Sequence, residues 1–173
     1  MVSTETLLHP GGYRTPWHSH RAGQLWRIAT GLLVIESQRG RSVVPAKHIG
    51  WIPPGNQHAA FSESAIEGSA IYLDPACCAR LPDVPALFEP DDLTHALFSR
   101  LSVAESEYDP RKLTLLLDEL AVAPQVHFSL PVPTDPRLKD VVRHLLQFVD
   151  DNQTVESHAR QAGMSVRTFN RRF

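Results

Sequence analysis

The sequence predicts a mainly β N-terminal domain, then an antiparallel helical hairpin, then the beginning of a small all-α domain. Three observations carry this. Short β-branched and aromatic bursts separated by turn residues run to about Leu81, apolar spacing switches to three and four residues after Pro85, and a proline-rich joint precedes a second helical stretch.

The 173 residues suffice for one ordinary domain or two small ones, and a chain with 42% apolar and 21% charged residues can bury a core. The bursts QLWRIA, GLLVIES, RSVVPA, HIGWIP, HAAFS and SAIYLD, from about Gly11 to Leu81, alternate with Gly, Pro, Asn and Ser. That pattern suits an antiparallel sandwich or barrel, here assigned to residues 1–83.

Residues 84–123 carry LFEPDDLTHALFSRL and DPRKLTLLLDELAVA, with Leu and Ala at helical steps. Asp91 or Asp92 caps the first helix, and Asp109 followed by Pro110 starts the second. Leu113, Leu116, Leu117 and Leu120 form a stripe with two readings, packing on the β domain or the seam of a homodimer. Residues 124–135, with Pro124, Pro131 and Pro133 leading to Pro136, form a stiff connector. From Pro136 to Val149, Leu138, Val141, Val142, Leu145, Leu146 and Val149 line one face of an amphipathic helix.

Met1 to Tyr13 lacks the apolar stretch of a signal peptide, and no run of eighteen apolar residues occurs, so a cytoplasmic protein without membrane association is expected. Cys77 and Cys78 are adjacent, which suits neither an ordinary disulfide nor a metal knuckle, and they receive no role. A net charge of −2 excludes a generally basic nucleic-acid binder. The segment from Arg160 to Phe173 nevertheless holds Arg160, Arg167, Arg171 and Arg172 and no acid, which points to an anionic partner at that end.

His18 and His20 lie two apart, and Gln24 shares their parity, so on one strand all three project from the same face. His58 follows the turn Pro53-Pro54-Gly55-Asn56-Gln57. If that face is the barrel interior, three imidazoles and an amide converge on a site for one divalent transition metal, zinc or nickel, with a position left open. The alternative is a metal-free effector pocket in which the histidines hydrogen-bond among strands. Trp26 and Trp51 are candidates for the wall of the effector pocket, or for ordinary core.

These residues resemble the cupin superfamily. Gly12, His18, His20 and Gly31 stand at positions of its first motif, and Gly50, Pro53, Gly55 and His58 at positions of its second. Gln24 stands where the first motif has Glu, and Phe61 or Ser62 where the second often ends in Asn. The resemblance implies a cupin-like β-barrel that binds a small molecule or a metal. A metal-dependent cupin enzyme, oxygenase or isomerase, acting through His18, His20 and His58 is the alternative.

Near the C-terminal end Thr154 caps a short helix edged by Val155, Ala159 and Ala162, Gly163 turns the chain, and Ser165 caps the next helix. Val166, Phe169 and Phe173 anchor that helix inward, while Arg167, Asn170 and Arg171 share its outward face. Arginine suits guanine and asparagine suits adenine in the major groove, and Ser165, Thr168 and Arg172 suit phosphate. The phrase resembles the first helix-turn-helix of the AraC/XylS family of transcription regulators, matched by Val155, His158, Ala159, Ala162, Gly163, Met164, Ser165, Arg167, Thr168, Phe169, Arg171 and Phe173. His158 stands where Leu is usual.

The resemblance implies a DNA-binding regulator without catalytic residues, dimeric through the hairpin, binding operator DNA under control of a small-molecule or metal effector. The family's linking helix and second helix-turn-helix do not occur in the sequence up to Phe173, so residues 136–173 are expected to form an incomplete DNA-binding domain.

Overall fold

A computed structural model of the chain describes residues 2–38, 40–103, 109–126, 133, 135–148 and 151–173. Its strands are β1 (Val2–His9), β2 (Tyr13–Arg14), β3 (Gly23–Thr30), β4 (Leu33–Ser37), β5 (Gly40–Val44), β6 (Ile49–Ile52), β7 (His58–Ser62), β8 (Ile66–Leu73) and β9 (Ala86–Phe88). They form a five-stranded sheet in the order β1-β8-β3-β6-β9 and a four-stranded sheet in the order β2-β7-β4-β5, all pairs antiparallel.

The six bursts become β3 to β8. Three further strands lie outside the bursts: β2, a two-residue strand on β7, and two that correct the expectation. The lead-in segment is β1, paired along its whole length with β8, and Ala86–Phe88, expected to be helical, is an edge strand on β6. The helical spacing near Phe88 belongs to a helix that starts only at Asp92.

Strand alternation separates two cores. Leu7, Trp26, Ile28, Leu33, Ile35, Val44, Ile52, Ala60, Ile66 and Ala70 fill the space between the sheets. Leu25, Ile49, Trp51, Ile71 and Leu73 point from the other face of the larger sheet onto α1 (Asp92–Leu101) and α2 (Pro110–Val122). Asp91, rather than Asp92, caps α1, accepting from the Thr94 amide at 2.8 Å, and Asp109 caps α2 with Pro110 in its first turn. Leu113, Leu116, Leu117 and Leu120 are all buried in this second core. Each contributes roughly 1.5–3 kcal/mol by leaving water, so the stripe is spent inside the chain. Leu115 and Val122 are what α2 leaves exposed among its large apolar residues.

Gly23 has a packing reason: a Cβ there would lie 2.3 Å from the ring of Trp51. The tryptophan therefore closes over the start of β3 only because the position has no side chain.

The connector begins by extending the sheet. Gln125 bridges to Phe88, and the Val126 amide donates to the Leu87 carbonyl. Most of the expected stiff connector, Pro131 included, lies outside the described residues, as do Val149 and the side chain of Leu146. Beyond it α3 (Pro136–Gln147), α4 (Val155–Gln161) and α5 (Val166–Arg172) share a small core of Leu138, Val141, Ala159, Ala162 and Phe169.

Candidate functional site

His18 and His58 are joined by their main chains, each amide donating to the other's carbonyl at 2.9 Å. The turn ahead of β7 places Gly55 at φ 74°, in the left-handed region, and the Gly55 amide donates to the His20 carbonyl at 2.9 Å. One turn thereby positions both His20 and His58. The expectation of a single strand carrying His18, His20 and Gln24 is corrected, because the chain bends at Arg21 and Ala22 and β3 begins only at Gly23. His18 forms an isolated bridge and His20 lies outside the ladders, yet the side chains still converge.

The ring centroids of His18 and His58 are 4.4 Å apart, those of His20 and His58 5.2 Å, and a ring nitrogen of each lies within 4.8 Å of the others. Each ring is oriented by a main-chain carbonyl two residues away. Nδ1 faces Pro16 O at 2.9 Å in His18, Ala22 O at 2.7 Å in His20 and Asn56 O at 3.0 Å in His58. A carbonyl only accepts, so in neutral His18 and His58 Nδ1 carries the proton and Nε2 is the lone-pair nitrogen, whereas both ring nitrogens of His20 face acceptors, Ala22 O and Gln24 Oε1. Burial lowers the pKa of His58 below the ordinary imidazole value; the Asn56 carbonyl opposes this, and neighbouring His18 and His20 add to it. His58 is thereby kept neutral and able to ligate near pH 7.

Gln24 is buried, with Oε1 3.0 Å from His20 Nε2 and Nε2 donating to the Tyr72 hydroxyl at 2.8 Å. Tyr72 in turn donates to Glu5 Oε2 at 2.6 Å. The cavity beside these groups has a volume of about 120 Å³ and is walled by Trp26, Tyr13, His9 and Leu33 among others, with no Lys or Arg among the described residues of its lining. Burial, and then the Glu5 carboxylate, raise the pKa of both Tyr13 and Tyr72, so both phenols keep their protons.

Of the two candidate wall tryptophans, Trp26 lines this cavity, its ring 5.8 Å from that of His58. Trp51 does not. It lies opposite Leu25 on the face turned to the helices and donates its indole N–H to the Pro82 carbonyl at 2.7 Å. Glu5, Tyr72, His9 and Tyr13 are site residues that sequence reasoning missed; the signal for Glu5 is its parity with Leu7 and His9 on a strand that was not recognised.

In the C-terminal unit Thr154 and Ser165 cap α4 and α5, accepting from the amides of Ser157 and Thr168. Arg167, Asn170 and Arg171 are exposed and Phe169 is buried. Phe173 is 42% exposed and stacks on Phe169, so it is a weaker anchor than its spacing predicts. Arg172 is not free for phosphate, since its guanidinium donates at 2.6 Å to Asp135, the N-cap of α3. His158 is buried at its unusual position, with Nε2 3.7 Å from Asp151 Oδ2, and His144 shares that oxygen at 2.8 Å. A carboxylate partner thus accompanies the replacement of an apolar residue.

Against known proteins, the AraC-like ligand binding domain family matches residues 6–165. The HTH-type transcriptional regulator NimR of Escherichia coli K12 is 32% identical over 136 residues, covering 74% of this chain and 48% of NimR. The chain therefore spans about half the length of the curated relative it matches. Among solved structures, ToxT from Vibrio cholerae superposes over 99% of this chain and 74% of its own, with a TM-score of 0.51 at 9% identity, a likeness of fold.

Proposed function

The chain belongs to the AraC-like ligand binding domain family, and from that premise we propose that it is the sensing portion of a DNA-binding transcriptional regulator. One observation carries the reading: a barrel with a polar three-histidine cavity is continuous with a three-helix unit that displays Arg167, Asn170 and Arg171. The first element suits reception of a signal and the second suits contact with operator DNA.

The signal is a divalent transition metal, zinc or nickel, or a small molecule bound beside it. His18, His20 and His58 would hold the ion through Nε2, and Gln24 would offer its amide oxygen. The fit rests on His20. With Nδ1 committed to Ala22 O, the Nε2 lone pair and Gln24 Oε1 face each other at 3.0 Å, two acceptors that a shared cation satisfies. When bound, the ion supplies Lewis acidity and an open position for a ligand oxygen or nitrogen. The residues of the chain orient the imidazoles and shape a cavity for a ligand of a few heavy atoms.

Arg167, Asn170 and Arg171 read base edges, while Ser165 and Thr168 face phosphate. Arg172 takes a phosphate role only if it leaves Asp135. Homodimerisation through the helical hairpin belongs to the same reading, with the exposed α2 side chains Leu115 and Val122 available in place of the buried stripe. A DNA partner puts the protein in the cytoplasm.

The test is binding-site selection and a reporter assay with the regulator carrying both helix-turn-helix motifs. Arg167→Ala should relax the selected sequence at one base position, at a cost of about 1–3 kcal/mol. His18→Ala/His58→Ala should abolish the response to signal while operator occupancy persists. An intact response in that double variant would refute the barrel as the sensor.

A further inference from the structure

We propose that Glu5, acting through Tyr72, is the positioning residue that turns the Gln24 amide oxygen toward the three histidines and makes Gln24 an oxygen donor to the cation held there. The proposal rests on the metal reading above.

A carboxamide can present either its oxygen or its NH2 group to a site, and turning it over leaves its shape nearly unchanged, so its neighbours decide. Here the neighbours leave one solution. Tyr72 owns a single proton, and its hydroxyl donates it to Glu5 Oε2 at 2.6 Å. An ionised carboxylate has no proton to return, so the phenol oxygen can only accept from its second neighbour. That neighbour is Gln24 Nε2 at 2.8 Å. With its NH2 group engaged by Tyr72, Gln24 must aim Oε1 at His20 Nε2, 3.0 Å away.

The sheet register builds this chain of bonds. Tyr72 on β8 lies directly across from Gln24 on β3, and Glu5 on β1 lies across from Ala70, two residues from Tyr72 on the same face. Three adjacent strands therefore carry one line of donors and acceptors from an exposed carboxylate to a buried amide. Without the negative charge at residue 5, Tyr72 is free to donate to Gln24 instead. The amide can then turn over and set a donor against the histidines, where a cation needs an acceptor. Among the described residues no Lys or Arg lines the cavity, and Glu5 is the carboxylate in its wall.

Cobalt(II) is the probe, titrated into the purified chain and followed by calorimetry and visible absorption. Wild type should take up one ion per chain, and Glu5→Gln and Tyr72→Phe should each weaken uptake by about tenfold, as loss of an outer partner of a metal ligand does. Glu5→Gln should have no further effect in a Gln24→Ala background, because its influence passes through that amide. In the metal-free chain, NMR should show the Gln24 side-chain NH2 protons beside the Tyr72 ring in wild type, and lose that proximity in Glu5→Gln. Unchanged affinity in Glu5→Gln and Tyr72→Phe, or an undiminished Glu5→Gln effect in the Gln24→Ala background, overturns the proposal. So does an amide signal identical in wild type and Glu5→Gln, whatever the metal result. Failure of wild type to bind cobalt refutes the metal reading itself and the ligand role of Gln24 with it.

Discussion

His18 and His58 face each other across a bridge of two main-chain hydrogen bonds, although four strands separate them along the chain. Because the backbone makes the bridge, the rings are brought together without depending on each other. His18→Ala should therefore leave the barrel folded, with an unchanged circular dichroism spectrum and a urea midpoint close to wild type, while it weakens metal uptake. A large loss of stability on this substitution would show that the ring itself holds the barrel mouth closed.

Trp26 should report on the cavity and Trp51 should not. The Trp26 ring lies 5.8 Å from His58, whereas Trp51 is packed against the helices on the opposite face of the sheet. With Trp17, which adjoins His18, replaced by Phe throughout, cobalt binding should quench the emission of the parent and of Trp51→Phe, and leave that of Trp26→Phe nearly unaltered. Equal quenching in the two variants would place the bound ion elsewhere.

Leu116 has no exposed surface and sits where α2 meets the larger sheet. Leu116→Ala should cost about 2–5 kcal/mol, the range for truncating a buried leucine, read as a lowered urea midpoint. If the stripe served mainly as a dimer seam, the same substitution would change the oligomeric state at little cost to the fold.

The sequence made β3 to β8 legible because each carries β-branched and aromatic residues on a buried face. It hid β1, since an edge strand whose inward positions include Glu5 and His9 has no period-two apolar pattern. It hid β9 because three residues joined to a helical run are too few to show a period. Within the site, the His spacing revealed the ligands, while the parity argument placed them on a strand that the bend at Arg21 and Ala22 interrupts. Tyr72 and Glu5 could not be read at all. Their part depends on which residues face one another across β1, β8 and β3, and register is a property of the folded sheet. The helix-turn-helix was legible because its caps and turn are local, whereas the capture of Arg172 by Asp135 is not.

Asp135 ties the first turn of α3 to the last turn of α5. It caps α3, pairs with Arg137 at 2.9 Å and holds Arg172 at 2.6 Å, and these two guanidinium groups depress its pKa far below the ordinary 3.8. A depressed carboxyl stabilises the fold above its unfolded pKa, and that contribution is lost as pH falls toward the folded value. The helical unit should accordingly melt at lower temperature as pH drops below about 4, the unfolded carboxylate range. Asp135→Asn should melt earlier at pH 7 and lose most of this acid sensitivity. Matching acid profiles for the two proteins would rule the pair out as the cause.

The most direct test of the central claim is elemental analysis of the purified chain, beside His18→Ala/His58→Ala prepared the same way. The account predicts about one zinc or nickel ion per wild-type chain and none in the double variant. Metal retained in the double variant, or absent from wild type even after incubation with zinc and nickel, would contradict it.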